Sequence, residues 1–251
     1  MPLSSPVQVA ERLFVALDYP EAAPALALAE RLAPLGVSYK VGMQLYYAAG
    51  PALLEKLKPY GKTVFVDLKM HDIPNTVAGA VDSLVRQGVR FLNVHTQGGP
   101  DMMNAAVEAA ERAARETNQS KPTLIGVTLL TSLSEQHLRK HLFVESASVE
   151  EYVQHLAIQA KQCGLDGVVC SAQEAPMIRA ICGPDFLLVT PGIRPTGAAA
   201  DERPDQARVI TPGEAIKNRA DYLVVGRPIT AAMDPLKAAE AIVSELQQAL
   251  G

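Results

Sequence analysis

Three charged residues fall within six positions of a stretch that otherwise has the pattern of a buried strand. The stretch FVDLKMHDIPNT, residues 65–76, contains Asp67, Lys69 and Asp72. Side chains on a strand alternate between its two faces, so Asp67 and Lys69 share one face and their apolar neighbours occupy the other. A carboxylate and an ammonium that converge inside a protein can perform acid–base chemistry, with the ammonium as proton donor.

Two other apolar runs supply charges that could meet this pair. Asp18 ends the run FVALD, and Lys40 lies in SYKVGM with the same parity as Gly42. A buried ion-pair network that only holds strands together is the alternative interpretation. Buried ion pairs are a poor source of stability compared with apolar packing, whereas clustered charges are typical of active sites. We therefore predict a catalytic cluster made of Asp18, Lys40, Asp67, Lys69 and Asp72.

A second group of residues has the character of a phosphate site. The segments TPGIRP (190–195) and VVGRPIT (224–230) each follow a strand-like run. Gly226 permits close backbone approach, and the guanidinium of Arg227 can bind a phosphate through two hydrogen bonds. Arg194 and Gln206 bracket a polar loop that could close over a ligand. An ordinary Gly-Arg-Pro turn is the alternative, but the charged cluster elsewhere favours phosphate binding.

The elements that must position these residues alternate along the whole chain. Apolar, β-branched runs predict strands. They occupy residues 12–18, 37–43, 63–69, 90–96, 123–131, 167–172, 186–193 and 222–229. The segments between them repeat apolar residues at intervals of three and four, which predicts amphipathic helices, and several end at a glycine. Residues 132–148 and 194–210 show neither pattern and are predicted to be irregular.

Strands that alternate with helices pair in parallel through crossover connections. Eight such units in 251 residues predict an α/β fold, a (β/α)8 TIM barrel, with residues 1–251 forming one catalytic domain. A doubly wound open sheet is the alternative, but the first strand–helix turn, ALDYPEAAPA, lacks the glycines of a dinucleotide fingerprint. In a barrel, the predicted charges lie at the carboxyl ends of the strands, where barrel enzymes perform their chemistry.

Composition excludes several classes of partner. The chain has 23 Lys and Arg against 27 Asp and Glu, a net charge of −4, so nothing suggests nucleic acid or an acidic membrane as a partner. No run of eighteen apolar residues or secretory signal is present, and three cysteines without a CxxC pair predict a reduced, cytoplasmic protein. His137 and His141 have the spacing of metal ligands but no carboxylate partner, so no metal site is predicted.

The blocks quoted above resemble the orotidine 5'-phosphate decarboxylase family, in its bacterial form. The resemblance extends from FVALD (14–18) to VVGRPIT (224–230) and includes NVHTQGG (93–99) and GVTLLTS (126–132). The Asp-x-Lys-x-x-Asp signature alone marks a wider superfamily that includes sugar-phosphate decarboxylases. The IPNT, GIRP and VGRPIT blocks narrow the resemblance to the nucleotide enzymes.

The resemblance implies an activity and a role for each site residue. The implied reaction converts orotidine 5'-phosphate, a nucleotide monophosphate, to uridine 5'-phosphate and CO2, the last step of de novo UMP synthesis, without cofactor or metal. Lys69 would protonate C6, Asp67 would lie against the departing carboxylate, and Lys40 would hold Asp67 and the ribose. The resemblance also implies a homodimer, in which Asp72 and Thr76 reach the partner's site. The remaining implied substrate-binding residues are Asp18, Thr131, Arg194, Gln206, Gly226 and Arg227.

Three other functions are compatible with the same residues. A metal-dependent sugar-phosphate decarboxylase could use the same Asp-x-Lys-x-x-Asp signature. A Schiff-base aldolase could use Lys40 or Lys69 as its nucleophile. A barrel that binds a phosphorylated ligand without converting it is the alternative outside enzymes.

Overall fold

The eight predicted strands form a closed barrel. The computed structural model describes residues 9–145, 147–195 and 210–250. Neighbouring strands pair in parallel in chain order, and pairing between the first and last strands closes the barrel. The strands are β1 Leu13–Ala16, β2 Ser38–Gly42, β3 Val64–Met70, β4 Phe91–His95, β5 Thr123–Val127, β6 Gly167–Val169, β7 Leu187–Thr190 and β8 Tyr222–Val225. The predicted (β/α)8 barrel is confirmed.

Helices follow the strands and cover the outside of the barrel. They are α1 Ala22–Leu32, α2 Met43–Ala49, α3 Ala52–Leu57, α4 Pro74–Arg86, α5 Gly99–Glu116, α6 Glu135–Leu142, α7 Val149–Gln162, α8 Ala175–Cys182, α9 Pro212–Lys217, α10 Arg227–Thr230 and α11 Pro235–Leu250. The predicted helix-ending glycines Gly36, Gly88 and Gly164 have φ of 70°, 79° and 81°, the left-handed conformation that glycine adopts most readily. None of the described helices is long and apolar enough to cross a membrane.

The core has an outer and an inner part. The outer part packs the apolar faces of the helices against outward-facing strand residues such as Val66, Leu92 and Leu124. The inner part is an aromatic layer within the barrel, in which the rings of Phe14, Phe65, Phe91 and Tyr222 lie 4.9–5.5 Å apart in tilted and edge-to-face contacts. Such contacts add to the stabilisation that burial of the rings already provides. This layer fills the barrel below the charged residues and forms the floor beneath them.

Most strands end earlier than the apolar runs predict, and the difference is largest for β5 and β8. β5 ends at Val127, and Leu129 beyond it is buried in the core from a loop, so burial rather than strand pairing explains this part of the run. β8 ends at Val225, and the chain turns into α10. Pro228 has no N–H to donate to a strand ladder, which prevents β8 from continuing through this segment.

The prediction that residues 132–148 are irregular is wrong for half of the segment, because α6 lies within it. The helix begins with a reciprocal cap in which the backbone N–H of Ser134 donates to Nδ1 of His137 at 3.2 Å. Glutamate or glutamine usually fills the position of His137 in this motif, which is why the sequence signal is weak. The imidazole therefore has a local structural role at this helix end.

Candidate active site

Four charged side chains meet at the carboxyl ends of β1, β2 and β3. Asp67 accepts from Lys69 Nζ through Oδ1 at 2.7 Å, and its Oδ2 lies 3.3 Å from Lys40 Nζ. Lys40 Nζ also donates to Asp18 Oδ1 at 3.1 Å. The side chain of Asp67 is 9% exposed and that of Lys69 is 31% exposed, so the chain of charges runs from the barrel wall towards the open mouth.

The charges stabilise one another against the cost of burial. Burial by itself would raise the pKa of Asp67, but the ammonium groups of Lys40 and Lys69 outweigh it, and the pKa lies below its ordinary value. Burial by itself would lower the pKa of Lys40, but the carboxylates of Asp67 and Asp18 outweigh it, and the pKa is raised. Asp67 is therefore an anion and Lys40 a cation at neutral pH.

The alternation that predicts Asp67 and Lys69 on one face is interrupted between them. Phe65 and Asp67 both point inward, the first into the aromatic layer and the second into the charged cluster above it. The pairing of β3 with β4 then shifts register between Val66 and Met70, and Lys69 has a φ of 49°. The two side chains therefore meet as alternation predicts, but Lys69 reaches Asp67 from a bulge and not from a regular strand.

The charged cluster lies in one wall of a cavity of about 320 Å³ at the carboxyl ends of the strands. Arg194, Gly226 and Arg227, which were predicted to bind phosphate, line the same cavity, as does Thr131. Thr128 is buried and donates to the carbonyl of Val169, so Thr131 is the threonine of this segment that faces the cavity. Gln206 lies outside the described residues.

Asp72 and Thr76 lie elsewhere. Both are exposed, and both line a second cavity together with Tyr46 and Tyr47. Lys69 lines both cavities, so the second one reaches the charged cluster from the side. Within one chain, Asp72 Oδ1 accepts from the backbone N–H of Ile73, and the structure shows no ion pair between Asp72 and the described lysines of the cluster.

Comparison with known proteins gives a consistent result. The model of the orotidine 5'-phosphate decarboxylase / HUMPS family matches residues 11–242. The chain belongs to this family. A protein of Moorella thermoacetica named orotidine 5'-phosphate decarboxylase is 49% identical over 94% of this chain and 92% of its own. One of Chromohalobacter salexigens with the same name is 50% identical over 94% of this chain and 96% of its own.

Solved structures of similar chains have the same fold. Orotidine 5'-phosphate decarboxylase of Lactobacillus acidophilus is 40% identical, with a TM-score of 0.80 over 93% of this chain and 98% of its own. A protein of Geobacillus kaustophilus described as an uncharacterized conserved protein gives the same identity and TM-score, over 93% of this chain and 99% of its own. The barrel is thus shared with a solved structure that has the family's name.

Two residues of the site were not predicted from the sequence. Asn93 on β4 donates to Asp67 Oδ1 at 2.7 Å and accepts from the backbone N–H of Lys69 at 2.8 Å. A Cβ added at Gly42 would lie 3.0 Å from Asp18 Oδ1 and 3.1 Å from Lys40 Nζ, so glycine lets this ion pair approach the strand closely. Two sequence signals could have identified these residues. Gly42 has the same parity as Lys40 on its strand, and Asn93 is a polar residue within an apolar run.

His95 lies at the end of β4, near the charged cluster. Its ring stacks on that of His71 with centroids 5.3 Å apart. Burial, His71 and the charge of Lys69 lower the pKa of His95 to about 4. The ring is therefore neutral at pH 7, as suits a scaffold residue. Among the described residues, no group of three or more His, Cys, Asp or Glu is arranged to hold a metal ion.

Proposed function

We propose that this protein decarboxylates orotidine 5'-phosphate to uridine 5'-phosphate and CO2, the last step of de novo UMP synthesis. Given the family to which the chain belongs, one structural observation supports this reaction. A buried carboxylate, Asp67, is held between two ammonium groups in a cavity that also presents Arg194 and Arg227. The description of the matching family names two groups, orotidine 5'-phosphate decarboxylase and HUMPS. Relatives that are 44–50% identical to this chain have the first of these names.

The proposed chemistry takes place between Asp67 and Lys69. The bond from C6 of the pyrimidine to its carboxylate breaks, the electron pair remains on C6, and CO2 departs. No neighbouring carbonyl is placed to delocalise that electron pair well, so a fixed ammonium is the obvious stabiliser. Lys69 Nζ then transfers a proton to C6 and regains one from solvent. The negative charge of Asp67 repels the substrate carboxylate and holds Lys69 in position.

The remaining residues bind the parts of the substrate that do not react. We assign Lys40 and Asp18 to the ribose hydroxyls, Thr131 to the pyrimidine side of the cavity, and Arg194, Gly226 and Arg227 to the phosphate. Gln206 is assigned to the phosphate by resemblance alone. Binding of a distant dianion can stabilise a closed, water-excluding site and so contribute to the rate as well as to affinity. A substrate without phosphate should therefore lose turnover.

We also propose that the active unit is a homodimer in which Asp72 and Thr76 complete the partner's site. Both residues are exposed and line the second cavity, which opens beside Lys69. Ile73 and Tyr47 on the same side are 68% and 72% exposed. Large exposed apolar side chains beside polar ones are typical of a protein interface. A second copy placed there would add its Asp72 to the charged cluster.

Two further features belong to the proposal. The barrel acts as a single catalytic domain, because the charged cluster and the predicted phosphate residues line one cavity. We place the enzyme in the cytoplasm, because a nucleotide phosphate crosses a bilayer poorly and is best made where it is used. The proposed partners are the nucleotide and a second copy of the chain, with no nucleic acid or membrane.

The test is a spectrophotometric assay of the purified protein. Orotidine 5'-phosphate should lose its orotate-type ultraviolet absorbance on addition of enzyme, at the same rate with and without a chelator. Lack of turnover would overturn the proposal. Loss of turnover only with chelator would instead favour a metal-dependent decarboxylase, and activity on a 3-keto sugar acid phosphate would strengthen that alternative.

A further inference from the structure

Asn93 is a fully buried amide placed between the two proposed catalytic side chains. It is 0% exposed on β4. Its Nδ2 donates to Asp67 Oδ1 at 2.7 Å, and that same oxygen accepts from Lys69 Nζ at 2.7 Å. Its Oδ1 accepts from the backbone N–H of Lys69 at 2.8 Å. A single planar group thus contacts the side chain of one residue and the backbone of the other.

The register of the sheet explains why an amide is needed here. Val66 pairs with Leu92 and Met70 pairs with Val94, so β3 advances four residues while β4 advances two. Asn93 is the residue of β4 that faces this bulge. The bulge removes regular strand partners, and a buried backbone N–H without an acceptor is costly. The Asn93 carbonyl oxygen supplies that acceptor to Lys69.

The bulge is also where Lys69 adopts its left-handed backbone conformation, with φ of 49°. Residues with a Cβ rarely adopt this conformation unless their surroundings hold them in it. The chemistry of the two contacts fixes the orientation of Asn93, because a backbone N–H can only donate and an ionised carboxylate can only accept. A carboxamide satisfies both partners at once, and an ionised aspartate could satisfy only one.

We propose that Asn93 is a positioning residue that holds the Asp67 carboxylate and the Lys69 ammonium in reacting geometry. Its side chain is fully buried and lines neither of the two cavities, and it sets the shape of β3 from the neighbouring strand. This inference rests on the roles proposed above for Asp67 and Lys69. Misplacement of a reacting group by about an ångström can lower a rate by about 10²-fold, and we expect a loss of that order without Asn93.

The experiment compares the wild-type enzyme with Asn93→Ala, Asn93→Asp and the control Thr96→Val. Thr96 is likewise buried after β4, and its hydroxyl donates to the carbonyl of Val127, away from Asp67 and Lys69. We expect Asn93→Ala to lower kcat by about 10²-fold and to leave KM and the affinity for uridine 5'-phosphate within roughly threefold of wild type. Thr96→Val should keep the wild-type kcat.

Asn93→Asp adds a pH-dependent readout that a structural role alone would not produce. Its carboxyl group, when protonated, can donate to Asp67 and accept from Lys69 as the amide does, and when ionised it repels Asp67. We expect the ratio of its kcat to that of the wild type to rise as the pH is lowered. This variant carries the test if Asn93→Ala fails to fold, as judged by circular dichroism.

The outcomes separate this inference from the proposed function. A wild-type enzyme without turnover overturns the proposed function and the inference that rests on it. An active wild type with an Asn93→Ala variant as fast as Thr96→Val overturns the positioning role alone. A reduced kcat ratio for Asn93→Asp that does not recover at low pH would also overturn it, whereas a low kcat of Asn93→Ala at unchanged affinity, with recovery of Asn93→Asp at low pH, would support it.

Discussion

At the residue scale, the site keeps opposite charges together where water is scarce. The Lys40 and Asp67 side chains are 10% and 9% exposed and lie beside each other. Removing one partner from such a pair leaves an uncompensated buried charge, which is strongly destabilising. Asp67 has two ammonium partners, so the charges of the cluster are mutually dependent. Of the two ammonium groups, Lys69 is less buried and therefore more open to a ligand.

The proposed roles predict that chemistry and phosphate binding can be separated by two substitutions. Lys69→Ala should lower kcat by about 10²- to 10⁴-fold, the range for loss of a general acid, and should leave the affinity for uridine 5'-phosphate largely intact. Arg227→Ala should weaken nucleotide binding by about 1.5–3 kcal/mol, because it removes a charged hydrogen bond. Steady-state kinetics and calorimetric titration check both. Equal losses of affinity in the two variants would contradict the assignment.

The neutral His95 predicts how stability responds to acid. Its pKa of about 4 in the folded protein lies below the ordinary value of 6.5, so the unfolded chain binds the proton more readily between these values. The free energy of unfolding should fall as pH is lowered from about 6.5 to about 4, with a contribution of roughly 1–3 kcal/mol from this ring. Urea unfolding of the wild type and His95→Gln across this range is the measurement. An equal pH slope in both would show that other groups cause it.

At the element scale, the barrel depends on close approach between strands. A Cβ added at Gly167 on β6 would lie 2.2 Å from the backbone oxygen of Leu187 on β7. Backbone atoms cannot move aside as the end of a flexible side chain can. This glycine is therefore needed for the contact between two strands, whatever its own conformation.

We predict that Gly167→Ala destabilises the barrel. Overpacking costs typically about 1–3 kcal/mol, and the upper part of that range is expected because the clash is with backbone. Gly79→Ala in the middle of α4 is the matched control, since an added Cβ there meets no atom within 4 Å. That change should stabilise by roughly 0.5–1 kcal/mol through helix propensity. Denaturant unfolding of both variants tests this, and equal stabilities would refute the close-approach argument.

At the scale of the whole molecule, the charged cluster borders a second cavity that Arg194, Gly226 and Arg227 do not line. Asp72 and Thr76 line it, and Lys69 is shared between the two cavities. A monomer leaves this side of Lys69 exposed to solvent. Covering it with a second copy would lower the local dielectric around the ammonium and strengthen its electrostatic interactions.

The shared-site proposal predicts complementation between inactive variants. Asp72→Ala removes the residue supplied to the partner, and Lys69→Ala removes the residue within the same chain. If subunits exchange, mixed dimers contain one site with both residues intact, and mixing the two inactive proteins should restore partial activity. The assay is turnover of orotidine 5'-phosphate after co-incubation, with co-expression as a check on exchange. Mixed dimers that remain inactive would contradict a site shared across subunits.

The sequence by itself determined the fold and much of the candidate site. Eight apolar runs that alternate with amphipathic segments leave a parallel barrel as the arrangement that buries both, and the structure has this barrel. The position of Asp67 and Lys69 in the fold could be predicted, because the carboxyl ends of all strands meet at the same end of a barrel. A local apolar run does not reveal where pairing stops, so β5 and β8 are shorter than predicted.

Only the tertiary structure decided the details that depend on contacts distant in sequence. Asn93 lies 26 residues from Asp67, and its place opposite a bulge follows from the register of two strands. Asp18 and Asp72 are both carboxylates near strand ends, but they line different cavities. The direction in which the loop after β3 leaves the barrel causes this separation. Local pattern specifies which residues are buried and in which element, whereas register and loop direction result from packing of the whole chain.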